Sequence, residues 1–158
     1  MSPALIAVLV LVAIIVLFFV LKGGGGSHYE KMSPEELGKV AAEQAEAYRA
    51  QHKQSTGEEL AFERASLPRL DAVLEKNYTQ NMLDQKTIEH MGMFLGETMR
   101  HEFGGTWRYN DGFGELCLAM TDEGFIFPVS QIKRALDHKE AGQLASYADS
   151  IAERHEDA

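Results

Sequence analysis

Three side chains that could bind a metal ion, His90, Glu97 and His101, lie on one predicted helix. At about 100° per residue these positions fall within roughly 40° of one another, so they share one face. Glu97 and His101, one turn apart, could hold an ion in a metal-dependent hydrolase, but His90 lies roughly 10 Å from Glu97 along the helix axis. The face is opposite the apolar stripe of the helix. The pattern therefore favours a solvated Glu–His pair over a metal site.

Two other positions could support nucleophilic chemistry. Ser130 and Lys133 have the Ser-x-x-Lys spacing of penicillin-recognising enzymes, but no companion motif follows and the serine suits a helix N-cap. Cys117 is the one cysteine of the chain, so no intramolecular disulfide can form. It lies between two leucines in a predicted strand, an apolar setting that favours a buried thiol over a nucleophile. We predict no catalytic residue set and no cofactor.

An apolar run near the start of the sequence predicts where the protein lies in the cell. Ala4 to Leu21 are eighteen consecutive apolar residues. As a helix they would extend roughly 27 Å, close to the ~30 Å hydrocarbon core of a bilayer. Residues 1–22 therefore read as a transmembrane anchor, with the lipid bilayer as the partner of residues 4–21.

The flanks of this run predict topology. A secretory signal peptide would have a basic N-terminal region and a small-x-small cleavage site, and the pattern here fits an uncleaved signal anchor instead. Lys22, Lys31 and Lys39 follow the run, and positively charged flanks stay in the cytoplasm. We expect a single-pass protein of the inner (plasma) membrane with a cytoplasmic domain. A periplasmic domain is the alternative.

Charge limits the classes of partner. The chain has 158 residues, 24 acidic and 15 basic, for a formal net charge of −9. Phosphates would be repelled, which disfavours nucleic acid, and the domain is not expected to dock on anionic lipid. A protein partner is compatible with this balance.

The remaining segments predict an α+β domain behind a linker. Residues 23–32 form a flexible Gly-rich linker. Residues 33–54 form a polar amphipathic helix, started by Ser33, Pro34 and Glu36, that is either a stalk or a cover on one side of the domain. Residues 55–158 are helices flanking a three-stranded antiparallel meander. The predicted elements are helices from Ser66 to Asn77, from Asp84 or Gln85 to Phe103, from Ser130 to Asp137 and from Glu140 to Arg154, and strands Trp107–Tyr109, Glu115–Met120 and Phe125–Phe127.

Leu95-Gly96-Glu97, followed by Gly104-Gly105-Thr106-Trp107, resembles the motif of a family of uncharacterised bacterial domains. Phe127-Pro128-Val129 and the upstream step from Ser66 to Asp71 are similar to the same family. The resemblance covers about residues 60–147. It implies a helix that leads through Gly-Gly-x-Trp into a short meander, and it implies no activity.

Glycines on the predicted Asp84 helix indicate close packing. Gly92 and Gly96 lie one turn apart and make a flat strip that a neighbour can approach closely, and Trp107 is well placed to fold back over it. Gly104 and Gly105 end the helix, because glycine adopts the required backbone conformation without penalty.

These features favour a membrane-tethered, non-enzymatic interaction module. Its expected contact surface is the meander face bearing Trp107, Tyr109, Phe113 and Phe125, because aromatic side chains exposed in turns tend to be contact residues. Two alternatives stay open. One is a small membrane-bound metal-dependent hydrolase using Glu97 and His101, and the other is an immunity-type protein that neutralises a basic toxin.

Overall fold

The computed structural model describes residues 28–79, 82–120 and 124–156. Residues 32–158 form one compact unit, and a separate unit, residues 1–31, contributes a short 3₁₀ helix, His28–Lys31. The predicted anchor, Ala4 to Leu21, and the glycines of the linker lie outside the described residues and stay predictions. Within the described ranges, no helix has the length and apolar character needed to cross a bilayer.

The described residues of the compact unit form five α-helices and three strands, which confirms the α+β prediction. The helices are α1 (Pro34–Thr56), α2 (Leu67–Asn77), α3 (Gln85–Phe103), α4 (Pro128–His138) and α5 (Gln143–Glu156), with a 3₁₀ turn at Arg64–Ser66 before α2. The strands are β1 (Thr106–Asn110), β2 (Glu115–Met120) and β3 (Gly124–Ile126).

Two helix starts follow the predicted capping chemistry. At α1, the Glu36 backbone N–H donates to Ser33 Oγ (3.2 Å) and the Ser33 N–H donates to Glu36 Oε2 (2.7 Å), a complete capping box. At α3, the Thr87 N–H donates to Asp84 Oδ1 (2.7 Å). These side chains satisfy N–H groups that have no partner inside the helix.

The predicted side-chain caps at Ser130 and Ser66 do not form, although α2 begins directly after Ser66 as predicted. α4 begins at Pro128, two residues before Ser130, because proline fits the first helical position. Ser130 Oγ instead donates to Glu115 Oε1 (2.5 Å). Ser66 makes no cap bond; its Oγ accepts from the Ala61 N–H (3.1 Å) in the preceding loop.

α1 is the cover and not the stalk of the two predicted alternatives. It packs against α3 and β1 within the compact unit. Its buried face carries Leu37, Ala41, Ala45 and Tyr48 at helical spacing. The two alanines let the helix approach its neighbours closely.

The sheet is an antiparallel meander in the order β1-β2-β3. Trp107, Leu118 and Ile126 are aligned across the strands and are buried, so they mark the inner face that packs on the helices. The next row, Thr106, Ala119 and Phe125, lies on the opposite face because side chains alternate along a strand. We call this second face the open face, since Thr106, Arg108 and Phe125 on it are exposed, whereas Cys117 on it is buried.

Candidate functional site

Glu97 is buried and joins α3 to the start of the sheet. The residue is 1 % exposed, and its Oε1 accepts from the indole Nε1 of Trp107 (2.6 Å). Arg100 donates to both oxygens, from Nε to Oε1 (2.8 Å) and from an Nη to Oε2 (2.9 Å). These hydrogen bonds raise the pKa of Arg100. A buried carboxylate is stable when it is paired in this way.

Gly96 provides the space for the indole. A Cβ atom at this position would lie 2.2 Å from Trp107 Cη2 and 2.9 Å from Pro128 Cγ. At Gly92, a Cβ would lie 2.6 Å from Val129 Cγ2 and 2.8 Å from its Cα. The flat strip predicted on α3 therefore receives Trp107 and the start of α4.

The helix end at Gly104 is also confirmed. The Gly104 N–H donates to the Arg100 carbonyl (2.9 Å), and Gly104 and Gly105 have φ angles of 79° and 111°. Residues with a side chain rarely adopt these angles, so the glycines allow the chain to leave α3 and enter β1 directly.

The solvated Glu–His pair predicted on α3 is wrong for Glu97. Every residue from Met91 to Met99 is buried, because α3 packs against α1 on one side and against α4 and the sheet on others. His101 is half exposed, 3.7 Å from Glu97 Oε2, and its ring stacks on Phe62 at 5.0 Å between centroids. No group of three or more potential metal ligands occurs among the described residues.

Asp71, at the end of the upstream step of the motif, caps a distant helix. It is 2 % exposed, and its two carboxylate oxygens accept from the Leu144 N–H (2.9 Å) and the Ala145 N–H (3.1 Å) at the start of α5. Burial raises the pKa of Asp71, against the opposing effect of these two hydrogen bonds. The carboxylate therefore fixes α5 against α2.

Cys117 is the buried thiol that the sequence predicts. It is fully buried in β2, and burial raises its pKa to about 11. At neutral pH the group is protonated, so it is not a nucleophile.

The predicted contact surface is wrong for Trp107. Trp107 is 1 % exposed because strand alternation directs it into the core, where it pairs with Leu118. Tyr109 lies on the same inner face, opposite Leu116, and is half buried. Trp107 therefore belongs to the packing of α3 and cannot contact a partner in this structure.

Phe113 and Phe125 are exposed, and each lies beside Phe127. Phe113, in the β1–β2 turn, is 73 % exposed, and Phe125, on the open face, is 52 % exposed. The ring centroid of Phe127 is 4.7 Å from that of Phe113 and 6.3 Å from that of Phe125. We call Phe113, Phe125 and Phe127 the phenylalanine patch.

Phe127 is the member of the patch that sequence reasoning missed. The sequence pattern places it at the end of the third strand, but that strand ends at Ile126. The Asn110 side chain fixes the turn, because its Oδ1 accepts from the Phe113 N–H (3.1 Å). Asn110 could have predicted an ordered turn from the sequence. Nothing in the sequence pattern predicts that Phe113 in this turn contacts Phe127.

Comparison of the chain with protein families, with curated proteins and with solved structures finds no match. The resemblance to uncharacterised bacterial domains therefore stays a prediction. The residues on which it depends have packing roles in the structure, as the contacts of Gly96, Glu97, Trp107 and Asp71 indicate.

Proposed function

We propose that residues 32–158 are a non-enzymatic protein-interaction module that the apolar segment 4–21 tethers to a bacterial inner membrane. The phenylalanine patch and the open face form its contact surface. The length and uniform apolarity of the segment support the tether. The cytoplasmic side is proposed from the lysines that follow it.

The phenylalanine patch is the observation that carries the proposal. Large aromatic side chains each bury on the order of 150–250 Å² in a core or an interface, so leaving them in water sacrifices favourable burial. Single exposed apolar residues are common, but here two exposed phenylalanines both lie beside a third, Phe127, and so are not scattered singly. Aromatic anchors of this kind are typical of the centre of an interface.

Charged and polar side chains surround the patch. Arg108 is exposed on the open face, and Asp111 is exposed in the same turn as Phe113. Glu115, at the start of β2, is half buried and accepts from Ser130. A polar rim around an aromatic centre is the usual anatomy of a protein interface.

Partner capture by the full-length chain tests the proposal. The double variant Phe113→Ser with Phe125→Ser should reduce capture of a specific membrane-fraction partner at least about tenfold, because it removes two contact residues. Met82→Ser is the matched control, since Met82 is also 73 % exposed and lies outside the patch. Equal capture by both variants, with unchanged thermal unfolding, would contradict the proposed surface.

The salt dependence of capture addresses the immunity-type alternative. Neutralisation of a basic toxin by a chain of net charge −9 would weaken as salt screens the charges. Binding through the phenylalanine patch should persist at high salt.

A further inference from the structure

The junction between the C-terminal end of α1 and the start of α2 is loosely packed. Within the described residues these two helices make little direct contact with each other, and a cavity of about 560 Å³ lies between them. The loop that follows α1 crosses this junction, and the Arg69 guanidinium group on α2 donates to the Glu59 carbonyl of the loop (2.8 Å). The relative position of the two helices therefore depends on polar side chains more than on apolar packing.

His52, near the end of α1, is a titratable group at this junction. Its side chain is 3 % exposed, and its Nε2 makes no hydrogen bond within the part of the chain that the structure describes. Histidine has an ordinary pKa of about 6.5, so it changes charge close to neutral pH. Burial lowers the pKa of His52, so the ring is neutral at neutral pH and takes up a proton at a lower pH than an exposed histidine does.

One oxygen of Glu58 faces both His52 and Arg69. Oε2 is 3.9 Å from His52 Nε2 and 3.7 Å from Arg69 Nε, and both distances exceed that of a hydrogen bond. A shift of about 1 Å would bring the carboxylate to the usual distance of a charge-assisted hydrogen bond. Because the Glu58 side chain is 57 % exposed and follows Gly57, the residue that ends α1, it can make this shift without displacing the core.

The other polar groups near His52 do not compete with Glu58. Arg69 opposes a charge on the ring, and Lys76, which lines the same cavity, is also a cation. Tyr48, one turn before His52 on α1, has its ring centroid 6.1 Å from that of His52, and burial raises its pKa, so its hydroxyl group is neutral. Among the described residues, Glu58 is therefore the carboxylate that attracts a protonated His52 ring.

We propose that the junction of α1 and α2 contains a pH-sensitive clasp. When His52 takes up a proton, both ring nitrogens are donors, and Nε2–H donates to the Glu58 carboxylate while that carboxylate also accepts from Arg69. The three side chains then join α1 to α2 through charge-assisted hydrogen bonds, which are roughly twice as strong as neutral ones. When His52 is neutral, Glu58 is hydrogen-bonded to neither residue and the clasp is open. The clasp is independent of the phenylalanine patch.

An NMR pH titration of the full-length protein in detergent micelles tests the clasp. The ring nitrogens of His52, the Nε–H group of Arg69 and the amide of Gly57 would be followed from about pH 7.5 to about pH 4.5. We expect all three to shift with one midpoint, because protonation of His52 moves the carboxylate that Arg69 also faces. An Arg69 signal that stays constant while His52 titrates, or no titration of His52 in this range, would overturn the clasp.

Two neighbouring glutamates provide the variant and its control. In Glu58→Gln, the proton affinity of His52 should fall about threefold and the shift of Arg69 should be lost, since a neutral amide does not form the charge-assisted pair. Glu59→Gln should change neither, because the Glu59 carboxylate pairs with Lys53 on the exposed side of α1. Equal proton affinities of His52 in the wild type and in Glu58→Gln would overturn the proposal.

Discussion

A single buried carboxylate, that of Glu97, holds α3 against β1. Its oxygens accept three hydrogen bonds, one from the indole of Trp107 and two from the guanidinium group of Arg100. Leu-Gly-Glu and Gly-Gly-x-Trp, which are separated in the sequence, therefore form one packing unit. Both carboxylate oxygens already accept hydrogen bonds, so a metal ion bound to Glu97, as in a metal-dependent hydrolase, would have to break this packing unit.

Glu97→Gln should destabilise the fold. Glutamine keeps the volume, and its oxygen can still accept from the Trp107 indole, but its amide N–H group faces the Arg100 Nη donor that bonds Oε2, and the ion pair is lost. The free energy of unfolding in urea should fall by about 2 kcal/mol. The control is Glu43→Gln, an exposed glutamate on α1. Equal unfolding free energies in the two variants would show that the Glu97 pairing is not stabilising.

His52 should make stability depend on pH. Burial lowers its pKa below the ordinary value of 6.5, while Glu58 opposes this effect and Arg69 adds to it. His52 is therefore protonated more readily in the unfolded chain than in the folded chain. The contribution of neutral His52 to stability is present above pH 6.5 and is lost as the pH falls through the folded pKa.

We expect the urea unfolding free energy to fall between about pH 7.5 and about pH 5.5, and to fall less in His52→Gln. Burial also lowers the pKa of His90, so this residue contributes to the same pH dependence. Measuring His90→Gln beside His52→Gln separates the contributions of the two histidines. An identical pH dependence in the wild type and His52→Gln would refute the assignment to His52.

The central helix α3 sets the positions of its neighbours through its glycines. Trp107 lies against Gly96, and the start of α4 lies against Gly92. Each glycine costs about 1 kcal/mol relative to alanine in a helix interior, so the close packing that it permits must compensate for this cost.

Gly96→Ala and Gly38→Ala should have opposite effects. A Cβ at Gly96 would overlap the Trp107 ring, at 2.2 Å from Cη2, whereas a Cβ at Gly38 on α1 would meet nothing nearer than Trp107 Cδ1 at 3.9 Å. We expect the first variant to lose about 2 kcal/mol of unfolding free energy and the second to gain up to about 1 kcal/mol. Urea unfolding measures both. A stabilised Gly96→Ala protein would contradict the close packing of α3 and Trp107.

Local sequence signals predicted where the helices begin and end better than they predicted which elements pack against them. The capping residues Ser33 and Asp84 and the glycine after Phe103 identified the ends of α1 and α3, because this chemistry is contained in a few neighbouring residues. The burial of Glu97 could not be predicted in this way. A helix covered on several sides lacks a solvated face, and its covering elements come from distant parts of the sequence.

The sheet register separates the packing aromatics from the exposed ones across the whole domain. The sequence predicts Trp107 and Phe125 on one surface, but the structure has them on opposite faces of the sheet. Trp107 is in the same cross-strand row as Ile126, whereas Phe125 is in the row of Ala119 and Thr106. A one-residue difference in register reverses the face of a side chain, so short strands do not reveal this alignment from their sequence.

The phenylalanine patch gives the proposed module one contact surface. Its three residues come from the β1–β2 turn, from β3 and from the residue before α4. The packing of α3 on the inner face of the sheet leaves Arg108 and Phe125 of the open face exposed. The proposed tether would present this surface close to the membrane.

Photo-crosslinking from the patch is the most direct measurement. The full-length chain would carry p-benzoylphenylalanine at position 125 or, as a control, at position 82, and both proteins would be irradiated in cells before their membranes are washed with alkali. We predict that the chain stays in the washed membranes and that position 125 gives a discrete crosslinked protein that position 82 does not. Release of the chain by the wash would contradict the tether, and identical crosslinking from the two positions, or none from position 125, would contradict the contact surface.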